Sequence, residues 1–311
     1  MSDVLSDILD TVEMKAAVYF RTEFHAPFGV AVPAFHRASR FHLIVQGHCF
    51  VRLEDGSVVK AMPGDLIFVP NGCPHLLASD SAGDCKPLSD VISEAGFQGQ
   101  GPFVIGAGPA GLSCQMVCGH FSFADGSDHP LLRAVPAMLH ITAAERAAQP
   151  MLDDVLRLLV RRMFGDGVGT TASINRLSEV FFIEVIRASV ARADGEKNFI
   201  TAVYDPQIGT ALGLIHGNVA KPWTVDDLAT AVGMSRSRFA ERFRAIVGTT
   251  PMAYLSDWRM QKALHLLNEP KGAIKAVAPA VGYRSAAAFS RAFSEHFGRT
   301  PRQQQARVRQ R

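Results

Sequence analysis

A chain of 311 residues with 48% hydrophobic content is too long for one ordinary domain and reads as soluble and globular, so two domains are expected. The formal charge of +3 hides a split: residues 221–311 carry 16 Lys and Arg against 6 Asp and Glu, a net +10, which leaves −7 on residues 1–220. A basic last third is the footprint of a polyanionic partner, most often nucleic acid. No apolar run approaches the about 20 residues that a membrane span needs, so no membrane partner is expected.

The first residues, MSDVLSDILDTVEMK, are acidic and amphipathic and lack the basic start and apolar core of a signal peptide, so a cytoplasmic protein is expected. The stretch from about 15 to 125 is rich in Gly, Pro and short apolar runs such as FHLIV, CFVRL and GDLIFVP, separated by turn signals such as LEDGS and PNGCP. That texture predicts a β-rich domain of short strands. All five cysteines, Cys49, Cys73, Cys85, Cys114 and Cys118, lie in it; their odd number fits no complete disulfide framework, and buried reduced thiols are expected.

From Pro130 the spacing becomes helical, in MLDDVLRLLVRRMF and INRLSEVFFIEVIRASVARA. In the second, Leu177, Phe181, Glu184 and Ala188 mark one stripe and Val180, Glu184 and Arg187 the opposing one. This helix is unusually apolar: it packs on the β domain or forms a dimer surface. Residues 194–206, DGEKNFITAVYDP, read as a linker. The rest is helical up to the tail QQQARVRQR, expected to be disordered or frayed.

The run VGMSRSRFAERFRAIVGTTP at Val232 returns as VGYRSAAAFSRAFSEHFGRTP at Val281. Aligned, Val225, Leu228, Ala229 and Val232 match Ile274, Val277, Ala278 and Val281, an i, i+3, i+4, i+7 stripe on a short helix. Gly233 and Gly282 allow the bend that follows. Ser235 and Ser285 sit at the N-cap of a second helix, where their hydroxyls can accept free backbone N–H groups. Phe239, Phe243, Ile246 and Val247 form its apolar face, repeated by Phe289, Phe293, His296 and Phe297, and Gly248 or Gly298 followed by Pro251 or Pro301 ends it. Each copy is a helix-turn-helix.

With the Phe stripe inward, about 100° per residue turns Ser237, Glu241 and Arg244 outward, flanked by Arg238 and Ala240. The second copy presents Ala287, Arg291 and Ser294, flanked by Ser290. Small and polar residues let such a helix enter the major groove, where Arg can bond guanine bidentately and Glu can accept from cytosine. Arg236, Arg238, Arg242 and Arg284 are expected on phosphates. The helix YLSDWRMQKALHLL joins the units, so one chain can address groove segments about 34 Å apart. Pro279 falls in the first helix of the second copy, where it removes an N–H and can kink the helix. The first copy is therefore expected to dominate base readout.

WTVDDLATAVGMSRSRFAERFRAIVGTTPMAYLSDWRMQKALHLL followed by VGYRSAAAFSRAFSEHFGRTP resembles the AraC/XylS family of bacterial transcription regulators over roughly the last third of the chain. The resemblance implies a sequence-specific DNA-binding transcription regulator rather than an enzyme, with double-stranded DNA and RNA polymerase as partners. Its DNA contacts fall on Arg236, Ser237, Arg238, Glu241, Arg244, Ser285, Ala287, Ser290 and Arg291. Its N-terminal domain senses something or forms a homodimer.

PGDLIFVPNGCPHLL is similar to the second cupin motif, through Gly64, Pro70, Gly72 and His75, and implies a small β-barrel with His75 lining it. In metal-binding cupins that His is a ligand, with others from an upstream His-x-His and a Glu. This chain has His36, Arg40 and His42 there and no Glu, so the resemblance supports a barrel better than a metal. CGHFSFADGSDHPLLRAVPAML with FHLIVQG looks like the sensor of one AraC-type branch, which includes a regulator of the response to reactive chlorine. The effector and redox candidates are His36, His42, Cys73, His75, Cys114, Cys118 and His120; a transition metal ion, if the pocket takes one, would use His42 and His75.

The resulting architecture is α+β: a cupin-like β-barrel sensor over 1–128, a helical coupling or dimerisation segment over 129–204, and an all-α double helix-turn-helix over 205–311. The function expected is transcription regulation under a small-molecule, metal or oxidant effector. The alternatives are a cupin-type metal-dependent enzyme with a helical appendage, and an architectural DNA-binder with an inert β domain.

Overall fold

The computed structural model describes residues 3–12, 14–35, 38–99, 101–106, 113–123, 129–131, 135–163, 165, 167–192, 199–269 and 272–309. In chain order its elements are α1 (Val4–Val12), β1 (Met14–His25), β2 (Gly29–Val32), β3 (Ala38–Gln46), β4 (Cys49–Leu53), β5 (Val58–Ala61), β6 (Leu66–Val69), β7 (His75–Ala78) and β8 (Lys86–Pro87). Then follow α2 (Leu88–Glu94), β9 (Phe103–Ile105), β10 (Ser113–Phe123), β11 (Leu139–Ile141), α3 (Ala143–Ala147), α4 (Pro150–Met163) and α5 (Thr170–Arg192). The chain ends in α6 (Phe199–Tyr204), α7 (Ile208–Gly217), α8 (Val225–Ala231), α9 (Arg236–Val247), α10 (Pro251–Asn268), α11 (Ile274–Ala280), α12 (Ala286–Phe297) and α13 (Pro301–Arg309). Two compact units result: one from Lys15–Phe123 with Val135–Arg192, the other from Met1–Met14, Ala124–Ala134 and Ala193–Arg311. Among the described residues no helix is long and apolar enough to cross a membrane.

In the first unit the strands form two sheets, a six-stranded one ordered β11-β6-β3-β10-β1-β9 and a five-stranded one ordered β5-β4-β7-β2-β8. The expected barrel is not closed: among the described residues no pairing joins the sheet edges. One reason is visible at β8, a two-residue parallel strand in which Pro87 has no N–H to extend the ladder. The inner faces share one core, with Phe24, Ile44, Val69, Met116 and Cys118 from the larger sheet against Val30, Cys49, Val51 and Leu77 from the smaller.

Helix α5 covers the other face of the larger sheet. Its buried stripe is Ser178, Phe181, Phe182, Val185, Ile186 and Ser189, at helical spacing. Leu177, expected at its head, is half-buried instead. Phe181 packs edge-on to Phe41 at 5.2 Å, and Phe182 meets Phe68 and Phe123 at 5.9 and 5.5 Å. Burying each ring stabilises the unit by about 1.5–3 kcal/mol. Of the two readings of this apolar helix, packing on the sheet is the one its aromatic residues follow.

The second unit carries the repeat. Both first helices, α8 and α11, are seven residues long and end in the same hydrogen bonds: Met234 N–H to Ala229 and Tyr283 N–H to Ala278, both at 2.9 Å, across Gly233 at φ 67° and Gly282 at φ 83°. Pro279 therefore does not shorten α11, because it lies in the last turn, where only one intrahelical N–H is lost. Both second helices end on left-handed glycines, Gly248 and Gly298, whose N–H groups bond Arg244 and Ser294 carbonyls. Pro251 and Pro301 each open the next helix, since the first helical position needs no N–H donor. Helix α10 serves both copies: Met260, Ala263, Leu264 and Leu267 enter the second copy's core, and Tyr254 meets Phe243 of the first at 5.9 Å.

Four local expectations change. The tail is α13: Thr300 and Gln303 cap it reciprocally, and Gln304, 5% exposed, bonds Asn268 at 2.7 Å. The 194–206 segment contains α6; residues 193–198 lie outside the described residues. Ser235 occupies the N-cap of α9 but its hydroxyl caps nothing, whereas Ser285 accepts from Ala288 N–H at 3.2 Å. His296 is exposed rather than part of the apolar face, because Phe293 and Phe297 already pack at 4.6 Å.

Candidate DNA-binding face and sensor centre

On α9 the Phe239 and Phe243 rings are fully buried, which turns Arg236, Ser237, Arg238, Glu241 and Arg244 to the surface. Among the described residues the side chains of Ser237, Arg238, Glu241 and Arg244 carry no hydrogen bond or ion pair, and Arg236 is held only by exposed Asp226 at 3.1 Å. On α12, Ala287 and Arg291 are exposed, Ser285 is exposed but used as the cap, and Ser290 is half-buried with its carbonyl accepting from Ser294 at 2.7 Å. Arg242 differs from its neighbours. It bonds Asp205 at 2.6 Å, and Asp205 also accepts from Gln207 and Ile208 at the start of α7. That ion pair ties Arg242, expected on a phosphate, to the turn before α7.

The sensor candidates converge in the first unit. Strand alternation and the β3–β10 register, with His42 opposite Cys118 and Arg40 opposite His120, send these side chains between the two sheets. His75 arrives from β7 on the facing sheet. His42 Nδ1 lies 3.0 Å from Cys118 Sγ, His42 Nε2 lies 2.9 Å from His75 Nε2, and His75 Nδ1 lies 3.0 Å from the Cys73 carbonyl. A carbonyl only accepts, so His75 Nδ1 carries a hydrogen and, in a neutral ring, Nε2 accepts. His42 must then donate from Nε2 and accept at Nδ1, which leaves Cys118 S–H as the donor. The four groups form one directed wire, Cys118 to His42 to His75 to Cys73.

Burial accounts for its protonation. It pushes His42 well below the ordinary imidazole range, aided by His75 and Arg40, and brings His75 down to about 4. Burial and nearby Cys114 push the Cys118 thiol well up, so both rings are neutral and the thiol is protonated. Cys49, from the facing sheet, lies beside Cys114 and is raised by that hydrogen bond and by burial. Cys73 is half-buried, and His36 lies outside the described residues.

As a metal centre these groups do not fit. An ion between His42 and His75 needs about 2.0–2.1 Å to each nitrogen, wider than two nitrogens 2.9 Å apart allow at tetrahedral angles. Cys118 meets the other edge of the His42 ring and cannot join it. Among the described residues no group of three or more His, Cys, Asp or Glu is arranged to hold a metal ion.

Known proteins share both parts. A cupin family model matches residues 3–191 and a helix-turn-helix domain model residues 228–307. The HTH-type transcriptional regulator AlkR of Acinetobacter baylyi is 31% identical over 308 residues, 96% of this chain and 98% of that protein. An AraC-like transcription regulator of Streptomyces antibioticus is 31% identical over 271 residues, 84% of this chain and 85% of its own. The chain belongs to the AraC family of transcription regulators. The RCS-specific transcriptional activator RclR of Escherichia coli is also similar, at 26% over 272 residues, 87% of this chain and 85% of that protein. This AraC-type regulator is thus a DNA-binding transcription factor with a cupin-type N-terminal part.

The regulator holds a second buried polar centre that sequence reasoning missed, within its second unit. Asp7 of α1 accepts from His216 Nδ1 at 2.7 Å and from Lys262 Nζ at 2.5 Å. His216 Nε2 lies 2.6 Å, and His129 Nε2 3.2 Å, from the Tyr254 hydroxyl. Leu131 N–H donates to His129 Nδ1, so His129 Nε2–H donates to Tyr254 and Tyr254 O–H donates to His216. Burial lifts the Tyr254 phenol well above its usual range and holds His216 down. Asp65 was missed too: it accepts from His140 at 2.8 Å and from Met62 and Ala143 N–H groups.

Proposed function

We propose that this regulator reads an effector or oxidant at the polar end of its cupin-type sandwich and converts that signal into altered DNA binding by α9 and α12. The observation that carries this reading is the buried wire from Cys118 through His42 and His75 to the carbonyl of half-buried Cys73. Nothing in a purely structural core requires two neutral imidazoles in series, and each costs burial of polar atoms unless every donor and acceptor is matched. A change that breaks one bond unbalances the rest. Oxidation or ligation near Cys73, or at the Cys49–Cys114 neighbours, acts on the two sheets that the wire joins.

Output rests on Arg236, Ser237, Arg238, Glu241 and Arg244 of the first copy, with Ser285, Ala287, Ser290 and Arg291 contributing mainly affinity in the second. In this reading Arg244 and Glu241 read base edges, and Arg236 and Arg238 meet phosphates. The expected division, a sensor over 1–128, a coupling or dimerisation segment over 129–204 and a DNA-binding part over 205–311, is kept with two shifts: residues 1–14 go with the DNA-binding unit and 135–192 with the sensor. Homodimerisation and contact with RNA polymerase belong to this reading, as does a cytoplasmic site of action. The chain acts by binding rather than turnover.

The test uses fluorescence anisotropy on a duplex that the full-length protein itself selects from a random library. His42→Leu, His75→Leu and Cys118→Ser are expected to change affinity at least fivefold while leaving the selected sequence unchanged. Folded variants with wild-type affinity, both reduced and after mild oxidation, would remove the wire from the switch.

A further inference from the structure

Arg40 stands beside the wire with no hydrogen-bond acceptor among the described residues. It is 7% exposed, faces the same interior as His42, and lies across from His120 on β10 and Val69 on β6. Its guanidinium sits over the Phe35 ring, 4.3 Å from the centroid. Among the described residues no carboxylate or carbonyl accepts any of its N–H groups, although a guanidinium carries five. The titratable groups around it are His42, His75, His120 and Cys118. Burial depresses all three imidazoles and Arg40 depresses them further, so none supplies negative charge. A charge this little exposed, with no counter-ion among the described residues, is costly, and the cost is recovered when an anion enters.

Two neighbours define what would enter. His120, half-buried, has no hydrogen-bond partner among the described residues, and its ring centroid lies 6.1 Å from that of Phe35. Phe35 is 45% exposed, so this is where the polar end of the sandwich meets solvent. We propose that Arg40 and His120 form a subsite for the carboxylate of a small-molecule effector, with the Phe35 ring as an apolar wall for its body. A planar guanidinium edge matches a carboxylate bidentately. The single positive charge favours a monoanion, because a dianionic phosphate would leave one charge buried and unpaired.

The inference rests on reading this end as the sensor, and the test separates the two. Full-length protein is titrated calorimetrically, in chloride-free buffer, with acetate, phenylacetate and hexanoate, and with phenylacetamide and inorganic phosphate as the neutral and dianionic controls. At least one carboxylate should saturate and bind tenfold or more tightly than either control. Arg40→Gln should weaken it at least tenfold and His120→Ala several-fold. Because Arg40→Gln can disturb folding, modification of Arg40 by phenylglyoxal in the wild type, mapped by peptide mass, gives a second readout; the bound carboxylate should slow it at least fivefold. Absence of both carboxylate binding and protection, binding that survives Arg40→Gln in a folded variant, or phosphate binding as tightly would each overturn the subsite. If carboxylates fail while the wire variants still alter DNA affinity, the sensor reading stands alone; if carboxylates bind and DNA affinity never responds, the subsite stands and the sensor reading falls.

Discussion

Tyr254→Phe tests the buried centre of the DNA-binding unit. Deleting one oxygen leaves His216 Nε2 without its donor, formerly at 2.6 Å, and His129 Nε2–H without its acceptor, formerly at 3.2 Å. Both histidines are under 10% exposed, at 6% and 2%, so water does not replace the hydroxyl freely. Each stranded group costs about 1–3 kcal/mol, the longer bond toward the low end, for a total of about 2–4 kcal/mol. Trp223 and Trp258 are the chain's two tryptophans and both lie in this unit, with Trp258 4.3 Å from His216 and 5.3 Å from His129 between ring centroids. Tryptophan fluorescence during urea unfolding therefore reports this unit alone. With a slope of about 2 kcal/mol per molar, the midpoint should fall by about 1–2 M. His216→Leu should cost less in the Tyr254→Phe background than in the wild type, since replacing both partners by apolar groups removes the stranded acceptor. A midpoint within 0.3 M of wild type, or strictly additive losses, would refute the directed chain of bonds.

Four further outcomes follow from the same reasoning. His75 titrates at about 4 in the fold against about 6.5 unfolded, so the unfolded chain binds the extra proton between those values; stability of the first unit should fall by about 3 kcal/mol as pH drops through that window, read as faster hydrogen exchange in β3 and β10 peptides and flattened by His75→Leu. Burial alone would raise the Asp7 carboxyl, but hydrogen bonds from His216 and Lys262 hold it below its ordinary value; its contribution is present above pH about 3.9, is lost as pH falls through the folded value, and should vanish in Asp7→Asn urea titrations. Arg244→Ala should weaken DNA binding and change base preference, while Arg242→Ala should leave the salt slope of binding unchanged and instead lower the urea midpoint, because its partner is Asp205. Gly72→Ala places a methyl 2.1 Å from the Phe35 carbonyl oxygen at φ +59°, so it should destabilise the first unit by at least about 2 kcal/mol in thermal unfolding, and a neutral result would refute the tight turn.

What could be read from the residues alone is local and periodic. The copied helix-turn-helix was legible because each copy carries its own stripe, glycine and proline at fixed spacing, and these are satisfied within about 20 residues. The β texture of residues 15–125 was legible for the same reason, through short apolar runs between turns. Its closure was not: whether β8 and β9 seal a barrel depends on edges that meet far apart in sequence, and Pro87 decides one of them. The tail misled because its composition is polar throughout, while its order comes from the Thr300–Gln303 cap and from Gln304 bonding Asn268, 36 residues away.

The site divides along the same line. His42, His75 and Cys118 could be nominated from residue type and motif, but their assembly joins positions 33 and 76 apart. Asp7 and His216, 209 apart, carried no signal at all, since an acidic residue on an amphipathic N-terminal helix is ordinarily solvated. Arg40 was seen only as the residue occupying the place of an expected ligand. Its meaning appears once the surrounding groups are known to be neutral, because an unpaired charge is a property of an environment and not of a residue. Polar groups inside this regulator are therefore where sequence reading runs out: each is costly alone, each is stabilised by partners brought from elsewhere in the chain, and that balance makes a small change at one member felt along the whole set.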